Sequence, residues 1–256
     1  GAISISYMDY SSPIDEPITK KYVIRHRLKK KNPELEISEA VEPIIYYLDP
    51  GTPEPVKSAL LDGGRWWNQA YESIGFKDAF QVKMLPEGID PLDCRYNVIQ
   101  WVHRSTRGWS YGASVVDPRT GEIIKGHVSL GSLRIRQDYM IAQALSKDPF
   151  ISNNQNNQML ELAIARIRQL SAHEIGHTIG FAHNFAASAN NRASVMDYPH
   201  PLVDIKDDEI VFDDVYDTGI GDWDKVTVAY SYSHFKYNQN ENDELNKILE
   251  DATDNG

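Results

Sequence analysis

The stretch S-A-H-E-I-G-H-T-I-G-F-A-H, residues 171–183, holds three of the eight histidines in this 256-residue chain. His173 and His177 are four residues apart, and residues at this spacing lie on the same face of an α-helix. The segment before them is predicted to be helical, because apolar residues recur with a period near 3.6 over residues 159–170. Two imidazoles near the end of such a helix can therefore reach one metal ion.

A glycine after the helical segment supplies the turn that a third ligand needs. Gly180 lies just past the periodic run, where glycine commonly ends a helix because it enters the left-handed region without steric strain. Such a turn can bring His183 back toward the other two histidines. Three imidazoles with an open fourth position are typical of catalytic zinc, whereas structural zinc sites favour four ligands and cysteine. Because Cys94 is the only cysteine, the sequence predicts a catalytic Zn²⁺ site at His173, His177 and His183.

Glu174 is placed to act as a base beside this metal. It follows the first histidine and points roughly 100° away from it around the helix. The pattern H-E-x-x-H gives such a glutamate the general-base role, in which it takes a proton from the attacking water. The longer pattern H-E-x-x-H-x-x-G-x-x-H fixes five positions, so only about 10⁻⁵ chance matches are expected in a chain of this length. The pattern thus favours a zinc hydrolase over an accidental group of histidines.

A second segment, R-A-S-V-M-D-Y-P-H-P at residues 192–201, lies shortly downstream. Together the two segments resemble the metzincin clan of zinc metallopeptidases, whose signature ends in a methionine-containing turn. The resemblance implies that Met196 packs in this turn beneath the metal, and that Tyr198 binds the zinc or stabilises the transition-state oxyanion. The alternatives are ordinary core packing for Met196 and an ordinary half-buried ring for Tyr198. Asn184, after the third histidine, assigns the chain to no well-known metzincin subfamily.

The resemblance extends to three further segments: Y-N-V-I-Q-W-V-H, S-V-V-D-P-R-T-G-E-I-I-K-G-H-V-S-L-G and G-D-W-D-K-V-T-V-A-Y. These are similar to the zincin domain of large bacterial secreted metallopeptidases. The resemblance implies a secreted, cell-envelope or periplasmic protein, with Gly1 as a residue left by expression. It also implies that residues 1–256 form a single catalytic domain. An upper lobe, about residues 1–183, would hold the active-site helix, and a smaller, mainly helical lower lobe would hold about residues 184–256.

Hydrophobic periodicity and turn residues predict an α+β fold, with a mixed, twisted sheet packed on the active-site helix. Strands are predicted at residues 22–28, 44–48, 80–84 and 98–103, and a hairpin at 111–116 and 122–130. Helices are predicted at residues 56–74, with a break near Gly63 and Gly64, at 134–145, at 159–170 continuing into the histidine pattern, and at 222–230. The stretch N-N-Q-N-N-Q, residues 153–158, is predicted to be a loop that caps the zinc helix. Strand 122–130 is predicted to be a sheet edge that binds an extended peptide by strand addition, on strand order and the resemblance.

Composition limits the classes of partner. Asp and Glu number 37 and Lys and Arg 26, so the net charge is −11, which argues against nonspecific nucleic-acid binding. No apolar run approaches the roughly 20 residues of a membrane span. A single cysteine excludes internal disulfides. The expected partner is a peptide or protein substrate.

Several other features have competing interpretations. Cys94 is interpreted as a small buried hydrophobe rather than as a thiol that blocks the zinc. The acidic stretch 204–224 is interpreted as a solvated loop rather than a calcium site, because it lacks the spacing of a calcium loop. The remaining histidines are interpreted as surface or structural residues, with His200 the nearest in sequence to Tyr198; they are His26, His103, His127, His200 and His234.

These observations predict a zinc-dependent endopeptidase. Two alternatives stay open. One is a zinc hydrolase of a non-peptide amide, which the same ligand set would serve. The other is a catalytically silent binding module on the same fold, against which the intact Glu174 argues.

Overall fold

The computed structural model describes residues 1–106, 108–145, 153–190, 192–212 and 214–254, and its elements alternate in α+β order. The helices are α1 (Val56–Arg65), α2 (Trp67–Ser73), α3 (Leu133–Leu145), α4 (Asn153–Thr178), α5 (Asp222–Tyr232) and α6 (Glu241–Asp254). The strands are β1 (Ser4–Met8), β2 (Thr19–Val23), β3 (Ser38–Glu39), β4 (Ile44–Leu48), β5 (Phe76–Lys77), β6 (Phe80–Met84), β7 (Asn97–Val102), β8 (Tyr111–Val116), β9 (Ile123–Gly131), β10 (Asp204–Lys206) and β11 (Glu209–Val211).

The central sheet has five strands in the order β6-β4-β7-β9-β8. Its pairs are parallel except for β8, which runs antiparallel to β9. On β4, Ile44, Tyr46 and Leu48 are buried, as expected for a strand with one face on the core. The predicted α+β class with a mixed sheet is therefore confirmed.

The strand order corrects the prediction of a sheet edge at residues 122–130. β9 lies between β7 and β8, and β8 forms the edge. Its burial fits an interior position, because most β9 side chains are buried, whereas those of β8 alternate between exposed and half-buried. A hairpin pattern predicts that two strands pair, but it does not say which of them joins the rest of the sheet.

The zinc helix begins earlier than predicted. α4 starts at Asn153, so the stretch N-N-Q-N-N-Q belongs to the helix, and the prediction of a capping loop there was wrong. Asparagine is only modestly unfavourable in a helix, and adding residues to an existing helix is far easier than nucleating one. The α4 helix then packs along α1 and α3.

The other predicted elements agree with the structure except at their ends. The first predicted strand, residues 22–28, is shifted to Thr19–Val23, and beyond it Arg25 forms only an isolated bridge with Glu122. The predicted helix 56–74 breaks at Trp66 rather than at the two glycines. Gly63 instead allows close helix packing, because a Cβ there would lie 2.0 Å from the carbonyl oxygen of Arg168 on α4.

Buried aromatic rings from three distant parts of the chain pack in one core cluster. Tyr71 on α2 and Tyr232 on α5 have ring centroids 5.1 Å apart, and the ring of Phe181 lies 6.3 Å from that of Tyr232. None of the helices in the described part of the chain combines the length and the apolar character that a membrane span needs.

Two interpretations made from the sequence need correction, one for Cys94 and one for the acidic stretch 204–224. Cys94 is exposed rather than buried, because the residues before β7 form turns instead of an extension of the strand. The acidic stretch 204–224 is solvated where Asp204, Asp207 and Asp208 lie on and between β10 and β11. Asp224, in contrast, is only 1% exposed.

Candidate metal centre

Three imidazoles converge at the C-terminal end of α4. One nitrogen from each of His173, His177 and His183 lies within 4.8 Å of the others, and the Nε2 atoms of His177 and His183 are 3.0 Å apart. Gly180 makes this possible, because its φ of +102° turns the chain back and a Cβ there would lie 2.0 Å from the carbonyl oxygen of Ile24. The structure thus brings together the three histidines that the sequence pattern predicted.

Backbone carbonyls orient two of these rings. Nδ1 of His173 lies 2.8 Å from the carbonyl oxygen of Val195, and Nδ1 of His177 lies 2.8 Å from that of Phe181. A ring that donates from Nδ1 keeps an unprotonated Nε2 free to bind a metal. These contacts therefore favour the tautomer that a zinc ligand needs.

The three histidines also have the charge state that a metal requires. Burial lowers the pKa of His173 to about 3 and also lowers the pKa of His177 and of His183, so the rings are neutral at pH 7. Nε2 of His173 is buried and has no hydrogen-bond partner, which is costly for a polar atom unless a ligand satisfies it. Three neutral nitrogen donors around one point fit Zn²⁺.

Glu174 lies beside the histidines and is 6% exposed. Burial raises the pKa of its carboxyl to about 7, while the positive charge of Arg166 and a hydrogen bond from the backbone N–H of Gly112 oppose the increase. Gly112 on β8 comes this close to α4 only because it lacks a side chain, since a Cβ would lie 2.1 Å from the carbonyl oxygen of Glu174. Sequence reasoning missed this contact, although a glycine inside a strand can signal a close backbone approach.

Met196 packs directly under the histidine helix and is 2% exposed. A Cβ at Gly176, the residue before His177, would lie only 2.1 Å from the Sδ atom of Met196. The glycine inside α4 therefore makes room for the methionine. A glycine inside a helical histidine pattern is the sequence signal that could have indicated this contact.

Asp224 holds the segment before Met196 in place. Its carboxyl accepts hydrogen bonds from the Ser194 hydroxyl at 2.6 Å and from the backbone N–H groups of Val195 at 2.8 Å and Gly221 at 2.9 Å. Burial raises the pKa of Asp224 to about 6, and these hydrogen bonds oppose the increase. Nothing in the spacing of the acidic stretch distinguished Asp224 from its exposed neighbours.

Tyr198 lies at the mouth of the site and is 59% exposed. Its ring centroid is 4.4 Å from that of His183 and 5.1 Å from that of His173. Partial burial raises the pKa of the phenol, followed by the charge of Glu174. The hydroxyl is therefore protonated at neutral pH and can donate a hydrogen bond.

The other histidines lie elsewhere. His200, the nearest in sequence, is exposed, and the ring of His103 pairs with the Ser132 hydroxyl at 2.9 Å. His26 is buried against the Tyr46 hydroxyl. In the described residues, the group of side chains that could hold a metal consists of the three histidines of the pattern.

A cleft of about 400 Å³ opens onto the histidines and Glu174. Residues of the edge strand β8 and the preceding Ser110 line the cleft, as do the apolar residues Ile3 and Ile24. Tyr198 completes the lining next to His183. The cleft is therefore lined both by the edge strand β8 and by two of the three histidines.

Comparison with known proteins agrees with this site. Residues 155–256, which include all three histidines, Glu174, Met196 and Tyr198, match a family model described as Met-zincin. The match confirms the resemblance to the metzincin clan of zinc metallopeptidases and implies zinc as the metal and metallopeptidase as the general activity. No curated protein matches the sequence.

Two solved structures show weak similarity. High choriolytic enzyme 1, a hatching enzyme zinc-protease from the medaka fish Oryzias latipes, is 12% identical, with 80% of this chain and 92% of that chain covered and a TM-score of 0.35. Archaemetzincin from Methanopyrus kandleri is 18% identical, with 62% and 82% covered and a TM-score of 0.28. Similarity at these scores assigns neither fold nor activity.

Proposed function

We propose that this protein is a zinc-dependent endopeptidase in which His173, His177 and His183 hold one Zn²⁺ and Glu174 is the general base. The observation that carries the proposal is the partnerless, buried Nε2 of His173, which lies among three neutral imidazoles beside a buried carboxyl. The match of residues 155–256 to Met-zincin supports the same assignment.

The chemistry divides between the metal and the protein. When bound, zinc supplies Lewis acidity, which polarises a carbonyl and lowers the pKa of water to about 7. Glu174 accepts the proton of the attacking water and later passes it to the leaving amine. Burial raises the pKa of this carboxyl to about 7 in the metal-free protein, and a carboxylate beside the attacking water can take up one proton and release it again.

Tyr198 is proposed to stabilise the transition state. Its ring lies against those of His183 and His173 at the cleft, and its phenol is a proton donor at neutral pH. A donor aimed at the developing oxyanion gains strength as negative charge grows there. The alternative, in which the ring only packs against the histidines, predicts no role for the hydroxyl.

A peptide substrate is proposed to bind along the edge strand β8. The N–H of Gly112 points toward Glu174, away from β9, and alternate residues of a strand point the same way. The carbonyl of Gly112 and the backbone groups of Ser114 are thus available to pair with an extended peptide. This places strand addition at residues 111–116 instead of 122–130.

We also propose that residues 1–256 act as one catalytic domain, with a division near His183. The packing of Tyr232 against Tyr71 and Phe181 supports one unit rather than two separate ones. A secreted or cell-envelope location is proposed on the family resemblance alone.

The test is metal analysis combined with a proteolysis assay. The wild-type protein is expected to bind one equivalent of zinc and to cleave casein or a quenched peptide library. His177→Ala should lose stoichiometric zinc, because two nitrogen ligands remain where a catalytic site uses three. His200→Gln, at an exposed histidine outside the site, should keep both properties.

Two results would point to the alternatives. Zinc uptake without cleavage of any peptide, but with hydrolysis of small amides, would indicate an amide hydrolase. Zinc uptake with no hydrolysis at all would indicate a binding module. A full equivalent of zinc in His177→Ala would contradict the three-histidine site itself.

A further inference from the structure

A chain of buried polar groups lies behind the histidines. Arg166 and Gln169, one turn apart on α4, are 9% and 4% exposed. The Arg166 guanidinium donates to Oε1 of Gln169, and Nε2 of Gln169 donates to the carbonyl oxygen of Val195 at 3.1 Å. The same carbonyl lies 2.8 Å from Nδ1 of His173. The polar relay, defined here as Arg166 and Gln169, therefore ends at the group that orients a proposed metal ligand.

The chemistry of the relay leaves one arrangement of its hydrogen bonds. Arginine can only donate and a backbone carbonyl can only accept, so the group between them must accept on one side and donate on the other. The Gln169 side-chain amide does both, and its two neighbours fix which end is oxygen. The Val195 carbonyl has two lone pairs and can accept from Gln169 and His173 together.

Several neighbouring groups affect the stability of the charged Arg166 side chain. Its guanidinium carbon lies 5.6 Å from the centroid of the Tyr216 ring. Burial and the charge of Arg134 lower the pKa of Arg166, while the charges of Asp138 and Glu174 raise it. A buried cation is costly unless hydrogen bonds and counter-charges satisfy it. Because the buried guanidinium of Arg166 needs a hydrogen-bond acceptor, Oε1 of Gln169 stays turned toward it.

We propose that the polar relay positions His173 for zinc: Arg166 fixes the Gln169 amide, Gln169 fixes the Val195 carbonyl, and this carbonyl holds Nδ1–H so that Nε2 faces the metal. Asp224 holds the N–H of Val195 at 2.8 Å, so the turn is fixed from both sides. The inference rests on the proposed role of His173 as a ligand. Arg166 and Gln169 are positioning residues and do not touch the metal.

The experiment measures zinc affinity by competition with a chelator, independently of activity. Partners of this kind typically change metal affinity by about 10–100-fold when they are removed. Gln169→Leu is expected to weaken zinc binding by about that factor, since it removes the donor to Val195. Arg166→Met should weaken it less, and the double variant should be no weaker than Gln169→Leu, because the two residues act in series.

Matched variants separate positioning from a general loss of structure. Arg168→Met removes an arginine on the same helix whose partner is Asp62 at the surface, and it should leave zinc affinity unchanged. Gln169→Glu keeps an acceptor for Arg166 but faces Val195 with an oxygen, so it should bind zinc as weakly as Gln169→Leu while its melting temperature stays closer to wild type.

The outcomes are distinct. Wild-type zinc affinity in both Gln169 variants would overturn the relay, as would a lower melting temperature with unchanged affinity. If the wild-type protein binds no zinc, or His173→Ala binds it normally, the proposed metal site fails instead. Weak binding in both Gln169 variants, with normal binding in Arg168→Met, is the result that supports the relay.

Discussion

At the scale of single residues, Glu174 is governed by two opposing influences. Burial raises the pKa of the carboxyl, whereas the charge of Arg166 and the Gly112 N–H lower it. The result is a group that titrates near pH 7 rather than near its ordinary value. The sequence pattern predicted the position of this carboxyl, but its pKa also depends on Gly112, which is distant in sequence, and on Arg166, about two turns earlier on the helix.

Glu174→Gln tests the base directly. The variant should keep its zinc and its melting temperature but lose about 10²–10⁴-fold in kcat, because an amide cannot accept the proton of water. Glu161→Gln, on an exposed position of the same helix, is the control and should keep full activity. Hydrolysis by Glu174→Gln within a few-fold of wild type would show that another group is the base.

Tyr198→Phe separates a hydrogen-bond donor from a packing ring. The change deletes the hydroxyl and keeps the ring against His183. If the phenol stabilises the oxyanion, kcat should fall by about 10²–10³-fold, with little change in KM, zinc content or melting temperature. Tyr237→Phe, at a fully exposed ring, should have no effect. An unchanged kcat in Tyr198→Phe would leave the ring with a packing role only.

Prediction from sequence reached the histidines and Glu174 because their spacing is local to one helix and the turn that follows it. It missed Asp224 and Gln169, whose partners Val195 and Ser194 lie in a different segment. Such contacts are set by tertiary packing. An aspartate in an acidic stretch and a glutamine on a helix give no sign of them.

At the scale of elements, the sequence predicted which segments are strands and which are helices, but not which elements pack side by side. β4 and β6 have the predicted ends because alternating burial is a local signal. β8, rather than β9, forms the sheet edge because β9 pairs in parallel with β7. These two strands are far apart in sequence, so no local pattern predicts the pairing. The position of the edge decides where a peptide can bind.

A substitution in helix α4 tests whether Met196 packs against Gly176. Gly176→Ala should favour the helix by about 0.5–1 kcal/mol through propensity alone. Because the new Cβ would lie 2.1 Å from Sδ of Met196, we expect instead a net destabilisation of about 1–3 kcal/mol, typical of overpacking. Chemical denaturation measures the change.

A second substitution identifies the cause. In the Met196→Ala background the clashing side chain is shorter, so Gly176→Ala should destabilise the protein less than it does in the wild-type background. A double-mutant cycle should therefore give an interaction energy different from zero. Equal effects of Gly176→Ala in both backgrounds would mean that Met196 is not the residue it meets. The nearby Trp67 ring, 2.8 Å from the same Cβ position, would then be the next residue to test.

At the scale of the whole molecule, buried hydroxyls join distant segments to the end of the zinc helix. The Tyr46 hydroxyl on β4 donates to the carbonyl oxygen of Thr178 at 3.1 Å, and the Tyr232 hydroxyl on α5 donates to that of Ile179 at 2.8 Å. Both carbonyls lie in the last turn of α4 or just past it, where helix carbonyls lack helical partners. The sheet and the C-terminal part of the chain together fix the turn that leads to His183.

His26 ties the N-terminal segment into this arrangement. Its backbone N–H donates to the Tyr232 hydroxyl at 3.0 Å, and its Nε2 lies 3.2 Å from the Tyr46 hydroxyl. Since Tyr46 gives its only proton to Thr178, Nε2 of His26 must be the donor in that pair. The ring is buried, and this burial lowers the pKa of His26 to about 4.

This lowered pKa predicts how stability responds to acid. An unfolded histidine titrates near 6.5, so between that pH and about 4 the unfolded chain binds a proton at His26 that the folded protein does not. The stability from the neutral ring is present above pH 6.5 and is lost as the pH falls toward 4, with a slope of at most about 1.4 kcal/mol per pH unit.

His26→Gln removes the titration. The free energy of unfolding of wild type minus that of the variant should be constant above pH 7 and should decrease between pH 6.5 and 4. The metal-site histidines contribute equally to both proteins in a metal-free buffer and cancel in this difference. A flat difference for His26→Gln would mean that His26 is not buried in its neutral form and does not join the three segments as described.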